Sequence, residues 1–331
     1  MGWFGKSKGG TDAAKPAAPA VAPTALVQDA PEPATAREVD MAYYRWLAAA
    51  PPPRASTQLE LRILDELARL AQAPVAGAAL VPRVPEIIPQ LMRTLQSEDM
   101  NAAELSRQLS QDTVLVAEVY REANRPAYLP RYHSGPPVDT IQGAIMLLGQ
   151  NGMRMLLARV AFRPVVSMQS GRLARRAAPL VWRQSEKGAL AASLLAPSFR
   201  ANAFDAYLAG LMENVGLVVA FRLVDQASAE DALPWSEPFI AALFQHARIL
   251  SARIASLWEF PPAVAAAIEA AGQADAQPMA PQLAQALALG GRLAKLRMLA
   301  DAGQFPHDDP FVVDGLSDAA LGVFEKLRDE E

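Results

Sequence analysis

The sequence predicts an all-α fold, and three observations carry that reading. Alanine and leucine dominate the 331 residues while aromatics supply only 7%, a composition that favours helix over strand. Segment after segment opens on a Ser, Thr, Asp or Asn cap and continues with apolar residues three and four apart. No stretch alternates apolar and polar residues as a half-buried strand does.

Taken in order, residues 1–40 are rich in Ala, Pro, Thr and Gly without apolar periodicity, and are expected to form a disordered tail. Residues 41–76 are expected to hold two accessory amphipathic helices. Tyr43, Tyr44, Trp46 and Leu47 mark the first, ended by Pro51-Pro52-Pro53. The pair Thr57-x-x-Glu60 reads as a capping box for the second, whose apolar face is Leu59, Ile63, Leu64, Leu67 and Leu70. Intramolecular packing is the expected fate of that face.

From Pro82 the pattern becomes dense. Ile87, Ile88, Leu91 and Leu95 form one stripe, and Asn101-x-x-Glu104 caps the next helix, with Leu105 and Leu109. Asp112 opens a helix carrying Leu115, Val116 and Val119, and Asp139-x-x-Gln142 opens a longer one with Ile145, Leu148, Met153, Leu156 and Leu157. Residues 104–122 look superficially like a helix-turn-helix. A recognition helix needs basic and polar side chains for phosphates and base edges, whereas this one offers Val114, Leu115, Val116 and Val119 with only Arg121 basic. Core packing is the better reading. Leu283, Leu287, Leu293 and Leu296, then Leu321, Phe324 and Leu327, predict two helices packed as in a bundle over residues 281–331.

The totals exclude several classes. With no cysteine there are no disulfides, thiolate metal sites or cysteine nucleophiles. A net charge of −4 argues against a protein that coats nucleic acid, so nucleic acid is an unlikely partner. No long uninterrupted apolar run predicts membrane insertion, and Met1–Lys6 lacks the features of a secretory or myristoylation signal, so a cytoplasmic location is expected. There is no phosphate-binding P-loop, dinucleotide glycine pattern, HExxH zinc motif or GxSxG elbow.

The ordered motifs resemble the HDOD family, the non-catalytic relatives of the HD metal-dependent phosphohydrolases. Val81-Pro82-Arg83-Val84-Pro85 matches the proline-flanked opening, Leu109-Ser110-Gln111-Asp112 and Ala123-Asn124 the following helices, and Leu147-Leu148-Gly149 an apolar helix ending at glycine. Val181–Ser185, Ala209-Gly210-Leu211, His246, Trp258, Phe260-Pro261 and Ala266-Ala267-Ile268 complete the series. The resemblance implies an HDOD-type helical domain over residues 77–280, with a small N-terminal helical lobe and an HD-like C-terminal lobe.

It also implies where metal ligands would stand in an HD enzyme. Gln184 takes the place of the first His, Glu213-Asn214 that of the His-Asp pair, and Ala271-Gly272 that of a later His pair. Metal-assisted hydrolysis needs imidazoles and carboxylates, and amides are weak substitutes. The expectation is a non-enzymatic bacterial regulatory scaffold that binds signalling proteins and carries no cofactor. His133 and His307 read as surface residues, and His246 as a structural one.

One positive feature remains. Residues 151–200 hold nine Arg or Lys against the lone Glu186, whereas residues 301–331 are strongly acidic. The candidate binding set is Arg183, Gln184, Lys187, Glu213, Asn214 and His246, with Arg183 and Lys187 as a basic rim. Such a rim would suit an acidic partner or an anionic nucleotide or cyclic dinucleotide in the degenerate pocket, while a metal-dependent phosphohydrolase or a nucleic-acid-binding regulator using these arginines is a less favoured alternative. Scattered solvated charges are the plainer reading of the same residues.

Overall fold

The computed structural model describes residues 35–48, 57–72, 80, 113–124, 137–167, 171–227, 236–272 and 280–328. Among them are twelve α-helices and one 3-10 turn, with no strand. The Val81–Pro85 opening, the stripes and caps at 82–112, His133 and the tail up to residue 34 lie outside the described residues.

The first helix, α1 (Ala36–Ala48), starts five residues before the expected boundary of the tail. A capping box sets its start. The Thr35 backbone N–H and Oγ1 both donate to the Glu38 carboxylate, at 2.7 and 2.9 Å, and the Glu38 N–H donates back to Thr35 Oγ1. These two bonds hold the Glu38 carboxyl below its usual range. Helix α2 (Thr57–Gln72) follows. Its Glu60, expected in a local capping box, accepts instead from the backbone N–H and the hydroxyl of Ser236, binding α2 to the start of a distant helix. Tyr43, Tyr44, Leu47, Ile63 and Leu67 are almost completely buried in the main core, so both helices are structural members of the domain.

Helices α3 (Thr113–Ala123) and α4 (Ile141–Ser167) pack together. Asn124 ends α3 by donating to the Tyr120 and Val138 carbonyls and accepting from the Val138 N–H. The cap of α4 is Thr140, whose Oγ1 accepts from the Gly143 N–H, one residue beyond the expected Asp139. Gly149 (φ 68°, ψ 175°) breaks α4 into two helices, where the Leu147-Leu148-Gly149 motif predicts a stop.

The centre is α5 (Arg172–Leu195), which the 3-10 turn Ala196–Phe199 leads into α6 (Ala203–Met212) and α7 (Val215–Ala227). Asp225 of α7 caps α5 by accepting from the Leu173 and Ala174 N–H groups at 2.9 and 2.8 Å. Asn202 caps α6 and Ser236 caps α8 (Glu237–Leu257). Then come α9 (Pro262–Ala271), α10 (Gln282–Asp301), the single turn α11 (Pro310–Val313) and α12 (Asp318–Lys326). By length and composition residues 203–227 could cross a membrane, but 94% of their most apolar window is buried inside the protein. They are its core helices.

Helix α5 makes its most extensive contacts with α10 and α6. Small residues permit the approach. A Cβ on Gly210 would lie 2.5 Å from the Ala189 Cα, and one on Gly290 would lie 2.6 Å from the Ala192 backbone nitrogen. A second core cluster joins Ala191, Leu195, Leu293, Leu296 and Phe324, docking α12 on the outer faces of α5 and α10.

Candidate functional site

The turn between α6 and α7 holds Glu213 and Asn214, both buried. Ser251 of α8 fixes it: its hydroxyl accepts from the Gly216 N–H at 2.8 Å and donates to the Glu213 carbonyl at 2.7 Å. Asn214 Nδ2 donates to Ser185 Oγ at 3.1 Å, joining the turn to α5. Gln184, one residue earlier on α5, is fully buried beside Glu213. Gln184, Glu213 and Asn214 thus lie where α5 crosses the α6–α7 turn.

The other principal carboxylate comes from α1. Asp40, placed by the sequence reading inside the tail, is buried and accepts from Lys295 Nζ at 2.6 Å and Arg248 Nη2 at 2.9 Å. Only the missed Thr35-x-x-Glu38 box could have revealed it, by starting a helix that carries Asp40 inward. Burial pushes the Asp40 carboxyl up, but the two cations together hold it below the usual carboxylate range. Burial raises Glu213 instead, against Lys295, Arg248 and the Gln184 amide, with Asp40 adding to the rise. Burial and the nearby Glu213 and Asp40 also raise the Tyr43 phenol, whose hydroxyl is buried without a hydrogen-bond partner among the described residues.

Of these groups, Asp40, Glu213, Arg248 and Lys295 border a cavity of about 390 Å³, which Gln184, Asn214 and Tyr43 do not line. Asp40, Glu213 and Lys295 are its most deeply buried polar members, while Arg37, Gln245, Glu269 and Gly272 are exposed at its mouth. Arg248, Arg292, Ala271 and Gly291 also line it. Gly291 makes room for Glu213, since a Cβ there would stand 2.6 Å from a Glu213 carboxylate oxygen. Arg248 lies across Gly272 in the same way, its Cδ 3.1 Å from where a Cβ would be.

The donor set does not suit a divalent metal. Glu213 is biased toward its neutral form, Asp40 is saturated by two cations, and Lys295 and Arg248 repel a further positive charge. Among the described residues no three His, Asp or Glu side chains are grouped to hold an ion.

The expected basic rim lies elsewhere. Arg183 is exposed on α5, and Lys187 is buried with its Nζ donating to the Leu327 carbonyl and 3.9 Å from Asp301. It ties α5 to the C-terminal helices and does not border the cavity. The opposite charge of residues 301–331 is thus met in part within the chain. His246 is half-buried on α8, and burial lowers its pKa, favouring the neutral ring. His307 is half-exposed beside Asp301 and Arg297.

Burial lowers the Lys187 pKa to about 8, against a rise from Asp301 and a further lowering by Arg183 and Arg297. A folded pKa below the unfolded value means that the unfolded chain binds more protons between pH 8 and the unfolded value near 10.5. The stability this group contributes is full above that value and is lost as pH falls through about 8. Parent and Lys187→Met, compared by urea unfolding between pH 7 and pH 10, are expected to diverge in the parent's favour as pH rises.

A helical core with a buried polar turn at a helix crossing, its Glu213 bordering a cavity, defines an HD-like all-α domain. The HDOD domain family matches residues 81–274, and the chain belongs to that family. No curated protein matches it. Among solved structures, an HDOD domain protein of unknown function from Geobacter sulfurreducens is similar at 21% identity and TM-score 0.53, covering 82% of this chain and 94% of its own. A candidate metal-dependent phosphohydrolase from Shewanella amazonensis SB2B gives 17% identity and TM-score 0.55, over 82% and 98%. A candidate signal transduction protein from Marinobacter aquaeolei VT8 gives 19% and 0.52, over 85% and 62%. At these identities the likeness is one of fold.

Proposed function

We propose that this chain is a non-catalytic, cytoplasmic regulatory protein of a bacterial signalling system, acting by binding signalling proteins through its HDOD domain. The observation that carries this reading is the ion cluster of Asp40, Lys295 and Arg248 against Glu213. In an HD enzyme this region would carry imidazoles and a bound metal. Here Gln184, Glu213, Asn214, Ala271 and Gly272 take the ligand positions, and two cations stand where positive charge opposes a metal. Family membership supports the regulatory half of the reading.

The surface best suited to a protein partner is the exposed face of α5. Arg175, Arg176 and Arg183 continue along it into Leu190 and Leu194, each of the two leucines 39% exposed. Basic charge followed by apolar area fits an acidic, amphipathic segment of a partner.

Two measurements test the proposal. Capture from cells of the source organism, with the full chain and with a form lacking residues 1–34, is expected to enrich the same signalling protein. Leu190→Glu is expected to reduce its recovery at least fivefold. Unchanged recovery would remove α5 from the interface, and absence of any partner would remove the scaffold reading. Hydrolysis of bis(p-nitrophenyl) phosphate with added Mn²⁺ or Mg²⁺ is expected to stay at the blank rate, and turnover lost on Glu213→Gln would overturn the non-catalytic half.

A further inference from the structure

We infer that α12 is a displaceable cover over a helix-docking groove on α5 and α10, and that an acidic amphipathic helix of a partner takes its place there. The inference rests on α5 as the partner-facing helix and adds what controls access to it.

The cover is built to come away as a unit. Ala320, Val323, Phe324 and Leu327 of α12 bury their side chains with Ala191, Leu195, Leu293 and Leu296. That cluster is separate from the main core, which holds Ala177, Val181 and Trp182 nearer the start of α5. At nine residues α12 is too short to hold its helix alone, since isolated helices below about 12–15 residues are marginal in water. Undocking and unfolding of α12 therefore go together. Gly315, at φ 73°, precedes the Ser317 cap and gives a hinge between α12 and the rest of the chain.

The groove is wider than its cover. Leu190 and Leu194 stand one residue ahead of Ala191 and Leu195, about 100° round the helix, and remain exposed. The seated helix also shows which chemistry fits. Its buried positions 320, 323, 324 and 327 form one helix face, while Asp318 and Glu325 are exposed. Arg297, almost fully buried, stands over the Phe324 ring with its guanidinium carbon 5.1 Å from the centroid, which favours an aromatic residue there. At the end of α12 the Lys187 ammonium donates to the Leu327 carbonyl. A partner carboxylate at that end would form a charge-assisted bond to Lys187, and Arg183, exposed one turn earlier, adds to the attraction. A longer helix that also covers Leu190 and Leu194 buries apolar surface that α12 leaves in water, and this gain is what displaces α12.

The chain has no cysteine, so a single introduced thiol reports on the cover. Ala191→Cys places one beneath α12, and Ala177→Cys places one in the main core on the same face of α5, about five turns earlier. In the full chain Ala191→Cys is expected to react with iodoacetamide at least about tenfold faster than Ala177→Cys, through opening of α12 alone. Equal rates would tie α12 to global unfolding and overturn the cover. Phe324→Asp is expected to raise the rate at position 191 about tenfold more while position 177 stays protected. Gly322→Pro, at a site whose Cβ meets nothing within 4 Å, should do the same by breaking α12 without touching the groove. A rise at both positions in both variants would make α12 part of the global fold and overturn the proposal. A peptide of residues 314–331, added to either variant, is expected to restore protection at 191, and a scrambled peptide is not. No protection by the native peptide would overturn the groove as a docking site. Equal protection by a form with its Asp and Glu changed to Asn and Gln would overturn the acidic class, and protection that rises with the parent's own concentration would give the groove to a second copy. These rates are read without a partner, so they fail separately from capture: recovery lost on Leu190→Glu with equal labelling rates would keep the α5 surface and remove the cover.

Discussion

Asp40→Ala is expected to cost about 3–5 kcal/mol of folding stability, the range for removing one partner of a buried ion pair. Lys295 and Arg248 lie 2.6 and 2.9 Å from the Asp40 carboxylate, and the Lys295 side chain is only 5% exposed. Without Asp40 both cations keep their desolvation penalty and lose their main counter-charge. Glu213 tempers the loss: removing Asp40 takes away a neighbour that raises its pKa, so it ionises more readily beside Lys295 and Arg248. Urea unfolding at neutral pH is the measurement. A loss below about 1 kcal/mol would place the pair with exposed surface bridges and remove α1 as an electrostatic anchor. The pH dependence has a fixed sign. A folded pKa depressed below 3.8 contributes stability that is present above that value and lost as pH falls through the folded pKa. The gap between parent and Asp40→Ala is therefore expected to narrow in acid.

Gly216→Ala is expected to cost roughly 3 kcal/mol, at the upper end for inserting a methyl into a close-packed interior. A Cβ there would sit 2.0 Å from the Ala247 carbonyl oxygen and 2.9 Å from both the Ser251 nitrogen and hydroxyl. The obstacle is backbone, so α7 and α8 must separate, and separation breaks the Ser251 bonds that fix the Glu213-Asn214 turn. Gly322→Ala is the control. It lies in α12 with no atom within 4 Å of its Cβ position, and replacing a helical glycine there should stabilise by about 0.4–1 kcal/mol. If the two variants unfold alike, close helix approach is not what fixes glycine at 216.

Much of the fold was legible because its determinants are local. Apolar spacing and caps located α2, α3 and the C-terminal helices to within a few residues, since a helix registers its buried face every three or four residues. The boundary of α1 was missed although its capping box is equally local, because the Pro- and Ala-rich context masks it. Glu60 shows a different failure. Its spacing from Thr57 is that of a capping box, and nothing local reveals that Ser236, 176 residues away, is its partner.

The candidate site divides in the same way. Motif order along the chain was enough to name Gln184, Glu213 and Asn214 as one group. It was not enough to place Lys187, whose side chain reaches Leu327. Nor could it find Asp40, Ser251, Arg292 and Lys295, which come from three helices far apart in sequence.

Periodicity, motif order and residue identity are written along the chain, and the helical class, the family and the poverty of histidine at the expected metal positions follow from them. Which charges meet is settled in three dimensions. Asp40 finds Lys295 across 255 residues, and Lys187 of α5 reaches the Leu327 carbonyl. Coulomb energy depends on distance in space and on exclusion of water, and neither is a property of position along the chain.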